Sequence, residues 1–441
     1  MYLKPFSKNI SCEYRKLASL THDDDYFLKL NNELKNENVF YGHNKDVVRF
    51  FNQPLFFGDK VSKYLQSLVD DTNFLFNQSY SIINRDSSYL KFLGISPEII
   101  DLSRDINPVS IFRIDGTILK ESKKLMFLEF NANNPGGLYN SDNLEKILLE
   151  NDPAIKGLED RYIIKNYRRM DAFCDMIISG YNQFKFRTGK DLGNLLLILG
   201  NNKEPSIAYE QVSNSLEKKG FEVAFSNYDD RNLIYDGSSV FFNGKKVAII
   251  NRRVESKESF SNLKHISKAS FKDDVFIMNK FASSIFGMKK FFLLLQDPDF
   301  QSKLSKNSVD FIKEYIPQTF DFNDLESVST KYLMENRDKY VIKLNNSEQG
   351  VGVFVGKNYS SLEWKSLIRQ FKKNQNRLKN STIIVQEFLD MTKINSREYD
   401  YNLLSINGVF MPFARVAKGE NMKTNIAQGG QYIPCFSFFK S

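Results

Sequence analysis

Four residues with metal- and phosphate-binding chemistry alternate along two short apolar segments in the first third of the chain. Arg113 and Asp115 lie in the first segment, Glu129 and Asn131 lie in the second, and a polar stretch from Gly116 to Lys124 separates them. This pattern predicts a β-hairpin, and opposite positions in a hairpin lie about 5 Å apart. We therefore expect the four side chains to share one solvent-facing side. One cation, two carboxylates and one amide there suit Mg2+ and the phosphates that it carries.

An ordinary ladder of surface ion pairs explains the same alternation, so the hairpin alone leaves two interpretations open. The metal site is favoured by the residues that follow. Asn131 is succeeded by a loop containing Pro135, Gly136 and Gly137, directly after the candidate ligands. Such a backbone-permissive loop can approach a bound ligand closely.

A second group of candidate residues lies in the last quarter of the chain. Lys343 falls in a predicted strand, Tyr340 to Leu344, and a turn with Gly350 and Gly352 leads into another strand, Val351 to Val355. Backbone N–H groups of such a turn can cover phosphates while the ammonium offsets their charge. The spacing is not that of a Walker loop, and a solvated surface lysine is the alternative interpretation.

A third group resembles a nucleotide hinge. Gln386, Glu387 and Phe388 belong to the apolar segment Ile383 to Leu389, which predicts a strand. An extended backbone there can hydrogen-bond the adenine edge while apolar side chains cover the faces of the ring. Other strands would show a similar composition, so this signal is weak when taken alone.

The elements that must position these residues indicate two to three domains in the 441-residue chain. Residues 1–105 are predicted to form a mostly helical layer. The hairpin falls in residues 106–155, an open α/β region in residues 156–265, and the lysine and hinge segments in residues 266–441. Two further segments, Arg161 to Tyr181 and residues 276–320, are predicted to be mainly helical from their apolar spacing.

The open α/β region is predicted from one βαβ unit followed by a hairpin. The segments are Leu195 to Leu199, Pro205 to Lys219 and Phe221 to Phe225, then Val240 to Phe242 and Lys245 to Ile250. The first βα turn lacks the G-x-G-x-x-G spacing of a dinucleotide site, so we expect no nicotinamide cofactor.

Arg253 follows the last predicted strand of the open α/β region. An arginine at the carboxyl end of a strand is well placed for an anionic substrate. An exposed basic turn is an equally good interpretation of the same position.

The composition narrows the class of partner. The net charge is +8 without a long basic block, which favours phosphate-bearing substrates or an acidic protein partner over nucleic acid. Three cysteines without metal spacing and three histidines far from the hairpin argue against zinc or histidine chemistry. The apolar runs are too short to span a bilayer, and the first residues contain no apolar signal core. We therefore expect a cytoplasmic protein without a membrane association.

Taken together and in order, the motifs resemble the circularly permuted ATP-grasp ligases, and the hairpin is similar to that of glutathionylspermidine synthase and its relatives. That family has R-x-D, a turn, then E-x-N and a proline-containing loop, followed by an open α/β domain, a helical lysine, a strand lysine with a glycine loop, a Q-E hinge, a strand arginine and N-x-x-x-G-G. The matching residues are Arg113, Asp115, Glu129, Asn131, Pro135, Lys289 (with Lys280 or Lys290 as alternatives), Lys343, Gly350, Gly352, Gln386, Glu387, Arg415 and the segment from Asn425 to Gly430.

The resemblance implies a permuted ATP-grasp fold, α+β or α/β, with an inserted Rossmann-like domain and an N-terminal helical layer. It implies ATP and Mg2+ as cofactors. Its implied metal ligands are Asp115, Glu129 and Asn131; the catalytic cations are Arg113, Lys289 and Arg415; the nucleotide contacts are Lys343, Gly350, Gly352, Gln386, Glu387 and Phe388; and the tentative substrate contacts are Arg253, Asn133, Gly136, Gly137 and Asn425.

The implied activity is that of a carboxylate–amine ligase acting through an acyl phosphate on small-molecule or peptide substrates. The chain shows no amidase domain and no Cys–His site, so glutathionylspermidine itself is not the expected product. A variant of this reaction loads an amino acid onto the thiol of an acidic carrier protein. The alternative of another class is a non-catalytic nucleotide-binding module that recruits a partner.

Overall fold

The chain folds into helices and several sheets, described by a computed structural model over residues 8–41, 46–95, 109–132, 135–200, 206–253, 262–325, 327–345, 352–374, 383–419 and 423–441. The α-helices in these ranges are α1 (Lys8–Thr21), α2 (Asp24–Asn36), α3 (Asp59–Arg85), α4 (Ser88–Leu93), α5 (Leu138–Asn151), α6 (Pro153–Lys156), α7 (Arg169–Thr188), α8 (Ile207–Glu217), α9 (Lys264–Phe271), α10 (Ser284–Gly287), α11 (Phe291–Leu294), α12 (Pro298–Ser302), α13 (Lys306–Tyr315), α14 (Ser327–Glu335) and α15 (Ser361–Asn374).

The strands of the same ranges are short apart from those that carry the candidate residues. They are β1 (Phe40–Tyr41), β2 (Asp46–Val47), β3 (Leu55–Phe57), β4 (Ile111–Ile118), β5 (Leu125–Asn131), β6 (Tyr162–Lys165), β7 (Leu195–Gly200), β8 (Glu222–Asn227), β9 (Leu233–Tyr235), β10 (Val240–Phe242), β11 (Lys245–Lys246), β12 (Ile249–Arg252), β13 (Phe276–Met278), β14 (Thr319–Asp321), β15 (Tyr340–Leu344), β16 (Val353–Val355), β17 (Ile383–Glu387), β18 (Lys393–Ile394), β19 (Arg397–Ile406), β20 (Val409–Phe410), β21 (Phe413–Val416), β22 (Gln431–Ile433) and β23 (Cys435–Lys440).

The predicted hairpin is present as β4 and β5, within a seven-stranded sheet that we call the central sheet. Asp115 lies opposite Glu129 and Arg113 lies opposite Asn131. The other side of β4 pairs with β19, where Asp115 faces Asn402. The expected solvent exposure is wrong for two of the residues, because Arg113 and Asp115 are only 8% and 3% exposed. The added strands β19 and β21 cover this end of the hairpin.

Aromatic packing holds the apolar side of the hairpin against helices. Phe76 of α3 contacts Phe112 and Phe130, with ring centroids 5.2 Å apart in both pairs. Each such buried aromatic side chain contributes roughly 1.5–3 kcal/mol. In the described part of the first 105 residues, α1 to α4 agree with the predicted helical character, and the short strands β1 to β3 occur in addition.

A second sheet is open and parallel, with the order β13, β12, β7, β8. It confirms the predicted α/β character but divides one predicted strand. Lys245 and Lys246 end the antiparallel hairpin, whereas β12 joins the parallel sheet, because the buried residues Val247 and Ala248 lead the chain from one sheet to the other.

Two segments predicted to be helical contain strands instead. Residues 276–278 form the edge strand β13, and residues 162–165 form β6, which pairs with β23 near the end of the chain. Periodicity cannot distinguish a short buried strand from one turn of a helix. The partner strands that decide the outcome are far away in sequence.

The third sheet is antiparallel and four-stranded, in the order β14, β17, β15, β16. Strands β15 and β17 pair with Lys343 opposite Ile384 and Val341 opposite Gln386. Because alternate residues point to the same side, Lys343 and Gln386 share one face of this sheet. Helix α15 packs on the sheet through buried Trp364.

The remaining features carry no candidate chemistry. Strands β3, β23 and β6 form a small sheet. All three cysteines are free thiols, with Cys12 exposed and the other two buried. Within the described ranges no helix is long and apolar enough to cross a membrane.

Candidate nucleotide and metal site

Asp115 is the acceptor at the centre of a buried ion network. Arg113 donates to both of its carboxylate oxygens, at 2.5 Å from Nε and 2.8 Å from Nη2. Arg415 donates from Nη2 at 2.9 Å. Burial alone would raise the pKa of Asp115, but the two guanidinium groups outweigh it and hold this pKa below its usual value. The carboxylate therefore holds two of the predicted catalytic cations in place.

Glu129 and Asn131 offer the accessible metal-binding groups of the hairpin. Both side chains are partly exposed, and Lys289 Nζ lies 4.0 Å from Glu129 Oε2. The Asn131 amide has a buried nitrogen without a hydrogen-bond partner in the described part of the chain. That amide can turn to present its oxygen to a cation. The residues present therefore fit a divalent ion.

An all-protein metal cage is absent from the described residues, which contain no group of three or more histidine, cysteine or acidic side chains that could hold a metal. Mg2+ needs no such cage, since it commonly binds through one or two side chains plus substrate phosphates and water. The arrangement thus suits a metal that arrives with a nucleotide.

Lys343 is buried on the facing sheet. Its ammonium donates to Gln386 Oε1 at 2.6 Å and to the backbone carbonyl of Leu128 at 3.0 Å. Burial lowers the pKa of Lys343 to about 8, with the charge of Glu129 acting in the opposite direction. Gln386 is fixed in turn by Thr319, whose Oγ1 accepts from Nε2 at 3.2 Å. The strand lysine therefore joins the antiparallel sheet to the hairpin.

One pocket brings the separate candidates together, between the hairpin and the antiparallel sheet. Its wall combines residues from both sheets and from the connecting helical segment. The lining residues are Leu128, Glu129, Phe130, Gly287, Met288, Lys289, Phe292, Lys343, Ile384 and Gln386. Four residues predicted from distant motifs thus meet at one place.

The pocket also favours Lys289 among the three lysine candidates. Lys290 points away, with Nζ 4.3 Å from the centre of the Phe92 ring, while its backbone N–H donates to Asn345 Oδ1 at 2.9 Å. Lys280 precedes a turn of 3-10 helix and its carbonyl accepts from Arg252 in the parallel sheet. Lys289 is the one of the three in the pocket wall.

Replacing Lys289 with Met should lower kcat/KM for ATP roughly 10- to 100-fold, as loss of one cation at a transferring phosphoryl group does. Lys290→Met is the matched control and should change kcat/KM little, because its ammonium lies over Phe92. Steady-state ADP release measures both. Equal effects of the two substitutions would contradict the assignment.

The predicted hinge is only partly available for adenine. The backbone N–H groups of Glu387 and Phe388 already donate to the carbonyls of Gln318 and Lys339, at 2.9 and 2.7 Å. Glu387 is exposed, and the Phe388 ring lies 4.1 Å from Lys357 Nζ. Adenine contact through these two N–H groups would require the strand end to rearrange.

The tip of the hairpin contacts the segment that follows the hinge. Lys120 N donates to Asp390 O at 2.9 Å, and Thr392 N donates to Ile118 O at 2.8 Å. Leu119 and Met391 form a single antiparallel bridge between these hydrogen bonds. The strand with the metal-binding residues and the hinge segment are therefore joined at one end.

The loop after the hairpin is described from residue 135 onward, so Asn133 lies outside the described residues, as does Gly350. Gly136 O accepts from Arg113 Nη1 at 3.1 Å. Gly137 has φ +103°, and a Cβ there would lie 2.7 Å from the Phe413 ring. Gly352 also has a positive φ, and its carbonyl accepts from Leu344 N. Because of its positive φ and its close approach to Phe413, position 137 is suited only to glycine.

Replacing Gly137 with Ala should lower the free energy of unfolding by about 1–3 kcal/mol, the cost of a strained backbone position. Gly136→Ala is the control, because a Cβ there meets nothing within 4 Å. Urea unfolding gives both values. Equal stability of the two variants would count against the close approach to Phe413.

None of the predicted substrate residues that the structure describes lines the pocket. The Arg253 guanidinium stacks 3.6 Å from the centre of the Tyr209 ring, beside the carboxyl end of the parallel sheet. Asn425 accepts from Ala427 N at 2.8 Å and begins a turn of 3-10 helix. The structure does not place either residue against the pocket.

Sequence reasoning missed Asp400 and Thr424, which complete the ion network. Arg415 donates to Asp400 at 2.7 and 3.1 Å, and Thr424 Oγ1 donates to the same carboxylate at 2.5 Å. Burial opposes the charge on Arg415, but Asp400 and Asp115 raise its pKa further. Alternating Asp400 and Asn402 on a strand beside Arg415 was the available signal.

The chain is similar to known proteins in part of its sequence and in its fold. The family model for the ATP-grasp domain of prokaryotic glutathione synthetase matches residues 303–434. Among 47 matching solved chains is a glutathione synthetase-like effector from Globodera pallida, solved in its apo form. It has a TM-score of 0.61 and 12% identity, and the match covers 98% of this chain and 99% of that one.

The chain shares its fold with this effector, and residues 303–434 match the ATP-grasp family model. The family match contains Lys343, Gln386, Arg415 and Asn425, and ends shortly before the last strand. The hairpin lies outside the matched residues yet belongs to the same sheet as Arg415. A search of curated proteins gave no match.

Proposed function

We propose that the chain is an ATP-dependent ligase that activates a substrate carboxylate as an acyl phosphate and joins it to an amine. One arrangement carries the proposal: Glu129 of the hairpin faces Lys289 and Lys343 in the pocket where the two sheets meet, and Asn131 follows two residues later in the same strand. Oxygen ligands on one wall and ammonium groups on the other suit a metal-bound triphosphate. The ATP-grasp match over residues 303–434 supports nucleotide binding in the same region.

The chain's own residues would act mainly by position and charge. Glu129 and Asn131 would hold Mg2+, which supplies positive charge to the phosphates when bound. Lys289 and Lys343 would offset the charge of the transferring group, as preorganised cations do at a phosphoryl centre. Asp115 already accepts hydrogen bonds from two arginines. We therefore assign it the main role of holding Arg113 and Arg415 in place, with direct contact to a metal as a secondary role.

The chemistry then needs no activated nucleophile from the protein. A substrate carboxylate oxygen attacks the γ-phosphorus, and the bond to ADP breaks. An amine nitrogen attacks the acyl carbon, loses a proton and expels phosphate. Closing the site excludes water from the acyl phosphate.

The strand order leads us to interpret the fold as circularly permuted. Strand β4, early in the chain, pairs with β19 near its end, in the sheet that holds Arg415. In this interpretation the hairpin is a displaced metal-binding part of the ATP-grasp site. The likeness to glutathionylspermidine synthase stays a prediction from the hairpin sequence.

The deciding experiment is an ADP-release screen with amino acids, amines, peptides and acidic carrier proteins. Release that requires both a carboxylate and an amine supports the ligase. Release that requires a carrier thiol supports the loading variant. Tight Mg-nucleotide binding without release under any combination would replace the ligase by a non-catalytic nucleotide-binding protein.

A further inference from the structure

The buried carboxylate of Asp400 accepts four hydrogen bonds within the ion network. It lies in β19 at 1% exposure. Each of its oxygens accepts twice: Oδ1 from Arg415 Nε at 3.1 Å and Asn402 Nδ2 at 2.8 Å, and Oδ2 from Arg415 Nη2 at 2.7 Å and Thr424 Oγ1 at 2.5 Å. A carboxylate with four donors of fixed geometry leaves Arg415 one orientation.

The contacts continue through Arg415 to the hairpin. Arg415 Nη2 also donates to Asp115, which Arg113 binds through two nitrogens. Arg113 ends the chain of contacts at the carbonyl of Gly136. Two carboxylates and two guanidinium groups thus form one line of contacts across the neighbouring strands β21, β19 and β4.

This network joins two backbone segments that are far apart in sequence. One is the loop at Gly136, after the metal-binding strand. The other begins at Thr424 and contains the turn Ile426–Gln428. Asp400 is the residue that connects the second segment to Arg415, because Thr424 and Arg415 donate to the same oxygen.

We propose that Asp400 is a positioning residue of the ligase site. It fixes the Arg415 guanidinium beside Asp115 and holds the segment from Thr424 to Gly430 in the arrangement that turnover requires. The catalytic part of this inference rests on the proposed function and on the prediction that Arg415 is a catalytic cation.

Stability alone is a weak explanation for the network. Four charged groups lose their hydration there, and buried ion pairs contribute little net stability compared with apolar residues of similar volume. A carboxylate with a purely structural role is available for comparison. Asp152 is fully buried, accepts from Tyr14, His22 and Ala154, and caps α6 in the helical layer.

The test compares Asp400→Asn, Thr424→Val and Thr424→Ser with Asp152→Asn. Asp400→Asn should reduce kcat roughly 10- to 100-fold, the usual cost of losing a residue that orients an active group, with a smaller change in KM for ATP. Thr424→Val should lose part of this activity, and Thr424→Ser should keep it. Asp152→Asn should lower the melting temperature and leave kcat unchanged.

Hydrogen exchange supplies a readout that does not depend on activity. Backbone amides of residues 424–430 should exchange faster in Asp400→Asn and in Thr424→Val than in the wild type. Unchanged exchange and unchanged kcat in Thr424→Val would overturn the proposal, even if Asp400→Asn failed to fold. If the wild type released no ADP, the proposed ligase would fail while the exchange data still decided whether Asp400 holds the segment.

Discussion

Replacing Glu129 with Gln is expected to abolish Mg2+-dependent ATP turnover, with a loss of about 100-fold or more in kcat. The change keeps the size of the side chain and removes the charge that would hold the cation. Glu129 is partly exposed and its nearest ion-pair partner is 4.0 Å away. The fold should therefore survive, since such a pair contributes at most about 1 kcal/mol.

Glu121→Gln is the control, because Glu121 is an exposed carboxylate at the tip of the same hairpin. ADP release is measured over a Mg2+ titration, together with the melting temperature. Glu121→Gln should match the wild type in both. Normal turnover by Glu129→Gln at low Mg2+ would remove the metal assignment from this strand.

Replacing Lys343 with Met should weaken ATP binding by about 10- to 100-fold, since a charge-assisted contact to phosphate is worth roughly 1.5–3 kcal/mol. Met retains most of the buried aliphatic stem. Removal of the ammonium relieves its burial but takes a donor from Gln386 Oε1 and from the Leu128 carbonyl, so we expect the free energy of unfolding to change by no more than roughly 1–3 kcal/mol.

Calorimetry on Lys343→Met gives the affinity, with Lys331→Met as the control from the same part of the chain. Lys331 is exposed and lies outside the pocket wall. An ATP affinity equal to that of Lys331→Met would exclude Lys343 as a phosphate ligand.

Nucleotide binding at pH 8 should be accompanied by proton uptake. With a pKa of about 8 in the free protein, roughly half of the Lys343 side chains are neutral at that pH. Bound phosphate favours the ammonium, so protons enter with the ligand. Titrations in two buffers of different ionisation enthalpy measure the uptake, which Lys343→Met should abolish.

The lowered pKa of Lys343 also predicts how the stability of the fold depends on pH. The folded-state pKa of Lys343 lies below its unfolded value of 10.5, so the folded state binds fewer protons between these values. Its contribution to the free energy of unfolding should therefore rise as the pH increases from about 8 to 10.5. Phosphate ligands would oppose this trend by restoring the charge.

Local pattern was sufficient for elements whose partners lie nearby. The alternation around Arg113 and Glu129 predicted the hairpin and the side that these residues share, because residues two apart in a strand point to the same side. Lys343 and Gln386 were each predicted as nucleotide contacts, whereas their contact with each other depends on β15 and β17 coming together. Each of these residues carried its signal in its own motif.

Contacts decided by distant strands could not be predicted in this way. The burial of Asp115 depends on β19 and β21, which follow much later in the chain. Lys289 and Lys290 are neighbours with the same chemistry, and only the packing of Phe92 and the pocket separates them. Asp400 acquired its importance from Arg415 and Thr424, neither of which is local to it.

The contact at the hairpin tip restricts how the hairpin and the antiparallel sheet can move relative to each other. Backbone hydrogen bonds of Lys120 and Thr392 attach the hairpin tip to the segment after the predicted hinge, so the two are joined at this end. A tilt of the antiparallel sheet about this end would displace the pocket most at the end of the hairpin that carries Asn131.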